Sequence, residues 1–437
     1  MRSLTTRELA LNTARIAAAY PAFSARPYAP RDAVRAYQLA ALRRLVARAC
    51  ASVPLYREKY RKAGVTPRDL RSLDDLARFP TVTKAEILDA GDDARARDVA
   101  PGELLLSKSS GSTGVVLEVA HQASDIAVQG LAMNRLLSMY GVYLPWHRLV
   151  YVYTSPYPAR SLWGLYPMTL VPTLWPVARL AARLRELRPA WLTCYPSHLR
   201  ALADELGRRG ARALGLRAIS VSSEQSSQRE RDALAHEFGC GVHDEYSTEE
   251  LTRIAAQCRA GTYHLFEDVT LTEIVDPHSG APQPPGARGE IVGTYLHNHA
   301  MPFIRYRQGD LAHLDEARCP CGRTSRALGG LAGRALDSFV LPSGRVLTSG
   351  WLLDATYSFL LDVGADLRAF TLTQETRSRV VLRVVPGRRF GDGAAAAIAR
   401  RFRELVDEPI DVEIVVLEAL PRSAGGKLSP IVSRVGR

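Results

Sequence analysis

The sequence predicts an α/β protein. A large N-terminal domain of helix-covered, mainly parallel sheet with a β-barrel-like subdomain should precede a small α+β lid domain. Three observations predict this. Short apolar segments alternate with helical ones from 148 to 300, the pattern of parallel strands joined by covering helices. Between 260 and 313, Val, Thr and Ile recur at alternate positions with Gly and Pro turns between them, as in antiparallel β structure. After Gly333 the chain becomes a compact unit of strands, one helix and a further strand.

Taken in order, 32–64 reads as helical, with Leu39, Leu42, Leu45 and Val46 at helical spacing. Thr83 is placed to cap a helix running through Leu88. Strands are expected at 104–106 and 115–119, flanking a Ser/Gly-rich loop, and a helix at 123–140. Strands at 149–153, 191–194 and 218–222 then alternate with helices at 178–187, 197–209 and 228–238. In the last unit, 370–385 is strand-rich, 393–406 helical and 411–417 a strand. The domains are expected at 1–336 and 337–437.

Composition excludes several classes. The 437 residues suit two or three domains. No apolar run approaches the roughly 18–20 residues of a membrane span. The segment around 16–20 is too short and interrupted for a signal peptide, so the expected location is the cytoplasm. The net charge of +12 comes mostly from dispersed Arg; Lys occurs only at 59, 62, 84, 108 and 427. Arg43, Arg44 and Arg48 read as a solvated helix face, so nucleic acid is not an expected partner. Six cysteines are too few for a disulfide scaffold at this length.

Four segments carry chemistry. Ser109, Ser110, Gly111, Ser112, Thr113 and Gly114 form a loop whose amides and hydroxyls suit phosphate, without a Walker ending. Asp244-Glu245-Tyr246-Ser247-Thr248-Glu249-Glu250 puts an aromatic and carboxylates at a strand end. Tyr306-Arg307-Gln308-Gly309-Asp310 offers a carboxylate for two ribose hydroxyls. Lys427 stands on a Gly-rich loop near the C-terminus. Each alone reads as a surface turn or, for the first, a linker; the ordered set does not.

The set resembles the adenylate-forming superfamily, and more narrowly its phenylacetate–CoA ligase branch with the capsule-biosynthesis-type relatives. The likeness extends to Ser52-Val53-Pro54-Leu55-Tyr56-Arg57, Phe79-Pro80-Thr81-Val82-Thr83-Lys84, Tyr195-Pro196-Ser197, Ser222-Ser223-Glu224, Gly289-Glu290-Ile291, Met301 to Arg307, and Gly333-Arg334 through Asp337. It implies ATP-dependent formation of an acyl-adenylate with release of pyrophosphate, then transfer of the acyl group to coenzyme A. Transfer to an amine, hydroxyl or carrier protein is the alternative, and a non-catalytic nucleotide-binding relative the second. By resemblance, Ser109 to Gly114 hold phosphates, and Glu224, Asp244, Glu245, Tyr246 and Ser247 belong to the nucleotide pocket. Asp310 holds ribose with Arg334 nearby, Glu250 binds magnesium, Asp337 is the hinge and Lys427 meets the α-phosphate. Two positions depart from the family: Ser247 replaces Gly, and Glu249 replaces Thr or Ser. Glu249 thereby becomes a second candidate for the magnesium.

Cys258, His264, Cys319 and Cys321 offer four ligands of the kind zinc prefers in closed, structural sites. The expected partners are a small carboxylic acid, coenzyme A or another acyl acceptor, and a second copy of the chain. Trp146, Trp163, Trp175 and Trp191 are expected to pack in the core. His198, His236 and His297 are read as ordinary surface or core histidines.

Overall fold

The computed structural model describes residues 4–108, 117–153, 164–316, 318–331, 338–347, 349, 351–353, 355–356, 367–387, 390–391, 393–422 and 428–435. The N-terminal helices are α1 (Thr6–Ala25), α2 (Arg31–Ser52), α3 (Pro54–Ala63) and α4 (Lys84–Ala90). Strands β1 (Leu105–Lys108) and β2 (Glu118–His121) pair antiparallel, and α5 (Ala123–Tyr140) follows. Next come β3 (Leu149–Tyr153), β4 (Met168–Pro172), α6 (Val177–Leu187), β5 (Trp191–Cys194), α7 (Pro196–Ala213), β6 (Ala218–Ser222) and α8 (Gln228–Phe238). The chain continues through β7 (Gly241–Thr248), β8 (Thr252–Gln257), β9 (Tyr263–Leu265), β10 (Thr270–Val275), β11 (Gly289–Tyr295), β12 (Tyr306–Asp315) and β13 (Ala327–Gly329). The C-terminal elements are β14 (Phe339–Val340), β15 (Val346–Leu347), β16 (Leu367–Thr376), β17 (Arg379–Pro386), α9 (Ala394–Val406), β18 (Asp411–Val416) and β19 (Ile431–Ser433).

Apolar patterning explains the central sheet. Every residue of β5 and of β6 is buried, as expected for parallel strands covered on both faces. Strands β4, β3, β5, β6 and β7 are parallel in that spatial order. Strand β7 then pairs antiparallel with β8, and β8, β9, β13, β12, β11 and β10 continue to the far edge. The antiparallel unit foreseen in the sequence therefore joins the parallel strands edge to edge in one eleven-stranded sheet. It curls back on itself: Thr270 Oγ1 at the start of β10 donates to Leu251 O beside β8 at 2.7 Å.

The N-terminal motifs brace this sheet. Tyr56 donates its hydroxyl to Pro302 O at 2.9 Å and accepts from Ile304 N at 2.9 Å. Val82 N donates to Arg305 O, and Arg307 N donates to Val82 O. The segment entering β12 is thus held by two stretches far earlier in the chain. A buried ion cluster adds to the bracing. Arg135 of α5 grips Asp268 with two nitrogens at 2.6 and 2.8 Å, and Arg26 reaches the same carboxylate at 2.8 Å. Such a pair is worth keeping intact mainly because breaking it strands a buried charge.

Strands β16 to β19 form a separate four-stranded sheet, ordered β18-β17-β16-β19, and β14 pairs with β15. These elements have their own apolar core, including Phe339, Leu372, Ile398, Phe402 and Ile431. The expected boundary at 336–337 lies outside the described residues.

Some expectations need correcting. The helix foreseen over 32–64 is two helices, broken at Val53 because Pro54 disfavours the helical conformation in the residue before it. Helix α1 was not foreseen; Asn12 anchors it to Ala123 O at the start of α5, at 2.6 Å. Of the tryptophans, Trp191 is buried in β5, whereas Trp146 is 70% exposed in the loop after α5. Trp163 lies outside the described residues. No helix is long and apolar enough to cross a membrane among the described residues.

Candidate active site

In a doubly wound sheet, ligands bind beyond the carboxyl ends of the parallel strands. Here that edge collects Tyr153 (β3), Thr173 (after β4), Tyr195 to Ser197 (β5 into α7), Ser222 to Glu224 (β6) and Tyr246 to Glu250 (β7 into β8). Strand β7 is the seam, parallel to β6 and antiparallel to β8, with an irregularity between Tyr246 and Ser247.

Tyr246 and Asp310, 64 positions apart, meet at this seam. The Tyr246 hydroxyl donates to Asp310 Oδ2 at 2.6 Å. Both side chains are partly accessible. Glu250 is buried nearby, and Tyr306 of β12 donates its hydroxyl to Glu250 Oε1 at 3.3 Å.

Asp244 and Glu245 are engaged within the protein. Tyr263 donates to Asp244 Oδ2 at 2.6 Å, and Arg231 lies 4.0 Å from it. Glu245 pairs with Arg253 at 2.9 Å, both buried. Burial pushes both carboxyl pKa values up, and the neighbouring Arg in each case pulls back. Ser247 lends a side-chain hydrogen bond to Glu245.

Glu249, the departure from the family pattern, sits at the centre of a directed hydrogen-bond chain. Asn298 Oδ1 accepts from Ala300 N and Met301 N at 3.1 and 2.9 Å. Its Nδ2 therefore donates, to Ala120 O at 3.0 Å and toward His121 Nδ1 at 3.4 Å. His121 is buried, and desolvation lowers its pKa to about 4, so the ring is neutral. With Nδ1 accepting, the ring proton is on Nε2, which faces Ser107 Oγ at 3.3 Å. Ser107 in turn donates to Glu249 Oε2 at 3.2 Å, and Tyr153 donates to Glu249 Oε1. The Glu249 carboxylate thus ties the end of β3 to the end of β1, next to the Ser/Gly loop. Neither Tyr153 nor His121 was picked out from sequence; the only signal for Tyr153 was its place at a predicted strand end.

Glu224 follows Ser223, a non-glycine residue at φ 70°. Its Oε1 accepts from Ser197 Oγ at 2.9 Å and from Leu428 N at 2.6 Å; its Oε2 accepts from Ser197 N at 3.0 Å. The residue expected in the nucleotide pocket therefore holds the C-terminal segment. The expected loop Ser109 to Gly114, Arg334, Asp337 and Lys427 lie outside the described residues.

A second cluster forms away from this edge. Cys258 follows β8, His264 lies in β9, and Cys319 and Cys321 lie between β12 and β13. Their ligand atoms all fall within 4.8 Å of one another. Cys258 Sγ is 3.6 Å from Cys319 Sγ, and Cys321 Sγ is 3.1 Å from His264 Nε2. A tetrahedral zinc with bonds of 2.0–2.3 Å separates its ligand atoms by roughly 3.3–3.8 Å; the donor set suits that ion, and the Cys258–Cys319 spacing falls within that range. His264 Nδ1 meets Ser325 Oγ at 3.2 Å, which leaves Nε2 for a metal.

No protein-family model matches the chain. A phenylacetate–coenzyme A ligase of Thermus thermophilus is 28% identical over 436 residues, covering 92% of this chain and 97% of the relative. That of Escherichia coli is 28% identical over 433 residues, covering 90% and 93%. The chain is a homologue of the phenylacetate–coenzyme A ligases. Its fold is that of an adenylate-forming CoA ligase. A 2-hydroxyisobutyryl-CoA ligase in its postadenylation state matches with a TM-score of 0.78 and 23% identity, covering 94% of this chain and 91% of that one. The same relative matches at 0.65 in its thioesterification state and 0.61 in an open conformation.

Proposed function

We propose that this chain is an AMP-forming carboxylic acid ligase that makes an acyl-adenylate and passes the acyl group to coenzyme A. The observation that carries the reading is the Tyr246–Asp310 pair at the carboxyl edge of the sheet, 2.6 Å apart. An aromatic face for a base beside a carboxylate for ribose hydroxyls is what a bound adenosine needs. Ser109 to Gly114 would grip the leaving phosphates, and Arg334 would stand near the ribose. Glu250 would hold magnesium, which neutralises charge on the triphosphate. The acid's carboxylate oxygen attacks the α-phosphorus, and the bond to pyrophosphate breaks. Lys427, carried past the hinge at Asp337, would stabilise the charge that builds there. In the second step the thiol sulfur attacks the acyl carbon and AMP leaves.

The test is a panel of aryl and fatty acids scored by pyrophosphate release with and without coenzyme A. Release that needs an acid, with thioester formed when coenzyme A is present, is expected. Release without any thioester would point to an amine, hydroxyl or carrier protein as acceptor. Glu249 favours one other reading. A carboxylate occupies a position where the resembled family pattern has Thr or Ser, and ATP binding without release for any acid would mark a non-catalytic nucleotide-binding protein.

The same proposal gives Cys258, His264, Cys319 and Cys321 a structural zinc. Protein purified without chelators should carry about one zinc per chain, and Cys321→Ser should lose it. Elemental analysis finding no zinc in the wild type would end the idea. The six cysteines form no disulfide, which suits a cytoplasmic location. The expected homodimer is checked by light scattering.

A further inference from the structure

We infer that Glu224 is a positioning residue whose carboxylate clasps the C-terminal segment and holds the arrangement in which acid activation occurs. The inference rests on the ligase reading above for its kinetic consequence, but not for its geometry.

The clasp is built from both sides of residues 423–427. On one side, Leu428 N donates to Glu224 Oε1 at 2.6 Å. On the other, Arg422 Nη1 donates to Ser197 Oγ at 2.9 Å, and Ser197 Oγ donates to Glu224 Oε1 at 2.9 Å. Both flanks belong to the C-terminal unit: Leu420 and Leu428 pack with Val385 of β17. The receiving surface belongs to the large sheet, since Ser197 opens α7 and Glu224 ends the turn after β6. One residue further on, Gln225 Nε2 reaches Ser349 Oγ at 3.2 Å, a second link between the two units.

Chemistry makes the Glu224 carboxylate suited to this. It accepts three hydrogen bonds, one of them from Ser197 N in the first turn of α7. That position lends it the positive end of a helix dipole. Bonds to an ionised acceptor are roughly twice as strong as neutral ones. Ser223 adopts φ 70° just before it, a conformation that L-residues rarely take. Such local cost is tolerated where the geometry it sets is used.

A rotation of the C-terminal unit must break the bonds from Leu428 and Arg422. The clasp therefore biases the molecule toward one of the two half-reactions. Glu224 is also the only carboxylate among the described residues that accepts from Leu428 N, so removing it isolates the effect.

The experiment compares the full-length wild type with Glu224→Ala and Arg422→Gln by hydrogen–deuterium exchange, without substrates. In Glu224→Ala, the peptide spanning 428–434 is expected to exchange on the order of tenfold faster, while β16 and β17 keep their protection. Arg422→Gln should show a smaller shift in the same peptide. Unchanged exchange, or loss of protection spread through β16 and β17, overturns the clasp. Kinetics supply a second readout. In Glu224→Ala, kcat for acid-dependent pyrophosphate release should fall about tenfold with KM for ATP little changed. Thioester formation from a preformed acyl-adenylate should fall less. Equal losses in both half-reactions, or a rise confined to KM for ATP, would mean that Glu224 serves nucleotide binding or stability instead. If wild type releases no pyrophosphate with any acid, the ligase reading fails while the exchange experiment still decides the clasp.

Discussion

Replacing Lys427 with alanine is expected to slow acid-dependent pyrophosphate release by about a hundredfold or more. A donor aimed at charge that develops in the transition state typically contributes that much. Only five lysines occur in the chain, and one stands on a Gly-rich stretch near its end. The residues around that stretch are the ones held against the sheet edge: Arg422 reaches Ser197, and Leu428 N reaches Glu224. The loss should appear in kcat, with ATP affinity by calorimetry nearly unchanged, because the lysine acts on the transition state more than on bound nucleotide. Near-normal release in Lys427→Ala would sink the catalytic assignment.

Asp310→Ala should lower kcat/KM for ATP by roughly a hundredfold or more. Each hydrogen bond from a hydroxyl to an ionised carboxylate contributes about 1.5–3 kcal/mol, and two ribose hydroxyls would be released. The control is Tyr246→Phe. It keeps the ring and removes only the 2.6 Å bond that steers Asp310, so about tenfold is expected. The two losses should not add, since the tyrosine hydroxyl acts through the carboxylate. A steady-state series in ATP for both single variants and the double variant checks this. An Asp310→Ala enzyme within about threefold of wild type would show that ribose is held elsewhere.

Much of the fold was legible, and the reasons differ by element. Strands β5 and β6 are short apolar runs bounded by turn residues, as strands buried on both faces require, and their length argues against a helix. Helix α8 begins at Ser227, whose side chain accepts from Glu230 N, and ends at Gly239 with φ 71°; both signals are printed in the sequence. The break at Pro54 was readable too, and was overridden by the periodicity on either side. The joining of the antiparallel strands to β7 was not readable. It depends on pairing across a seam, and residue spacing says nothing about which edge a strand meets.

The site divides in the same way. The convergence of Cys258, His264, Cys319 and Cys321 was legible because few residue types make such a ligand set, whereas Tyr246 and Asp310 were singled out by resemblance and their hydrogen bond was not foreseen. Glu224 was found for a different reason from the one the structure supports. Its decisive partner is a backbone amide 204 positions away, and a backbone amide leaves no trace in a sequence. The chain from Asn298 through His121 and Ser107 to Glu249 was equally hidden, since each link is an ordinary polar residue until the fold aligns them.

The seam at β7 divides the molecule by how freely it can change. Strand β7 pairs parallel with β6 through residues 241–245 and antiparallel with β8 through residues 245–248. Inserting or deleting a single residue there would flip side chains in two registers at once. Strand β4 carries no such double constraint, because it is an edge strand. A one-residue insertion at the β4 edge therefore disturbs a single pairing, so the sheet tolerates change there more readily than at its β7 seam.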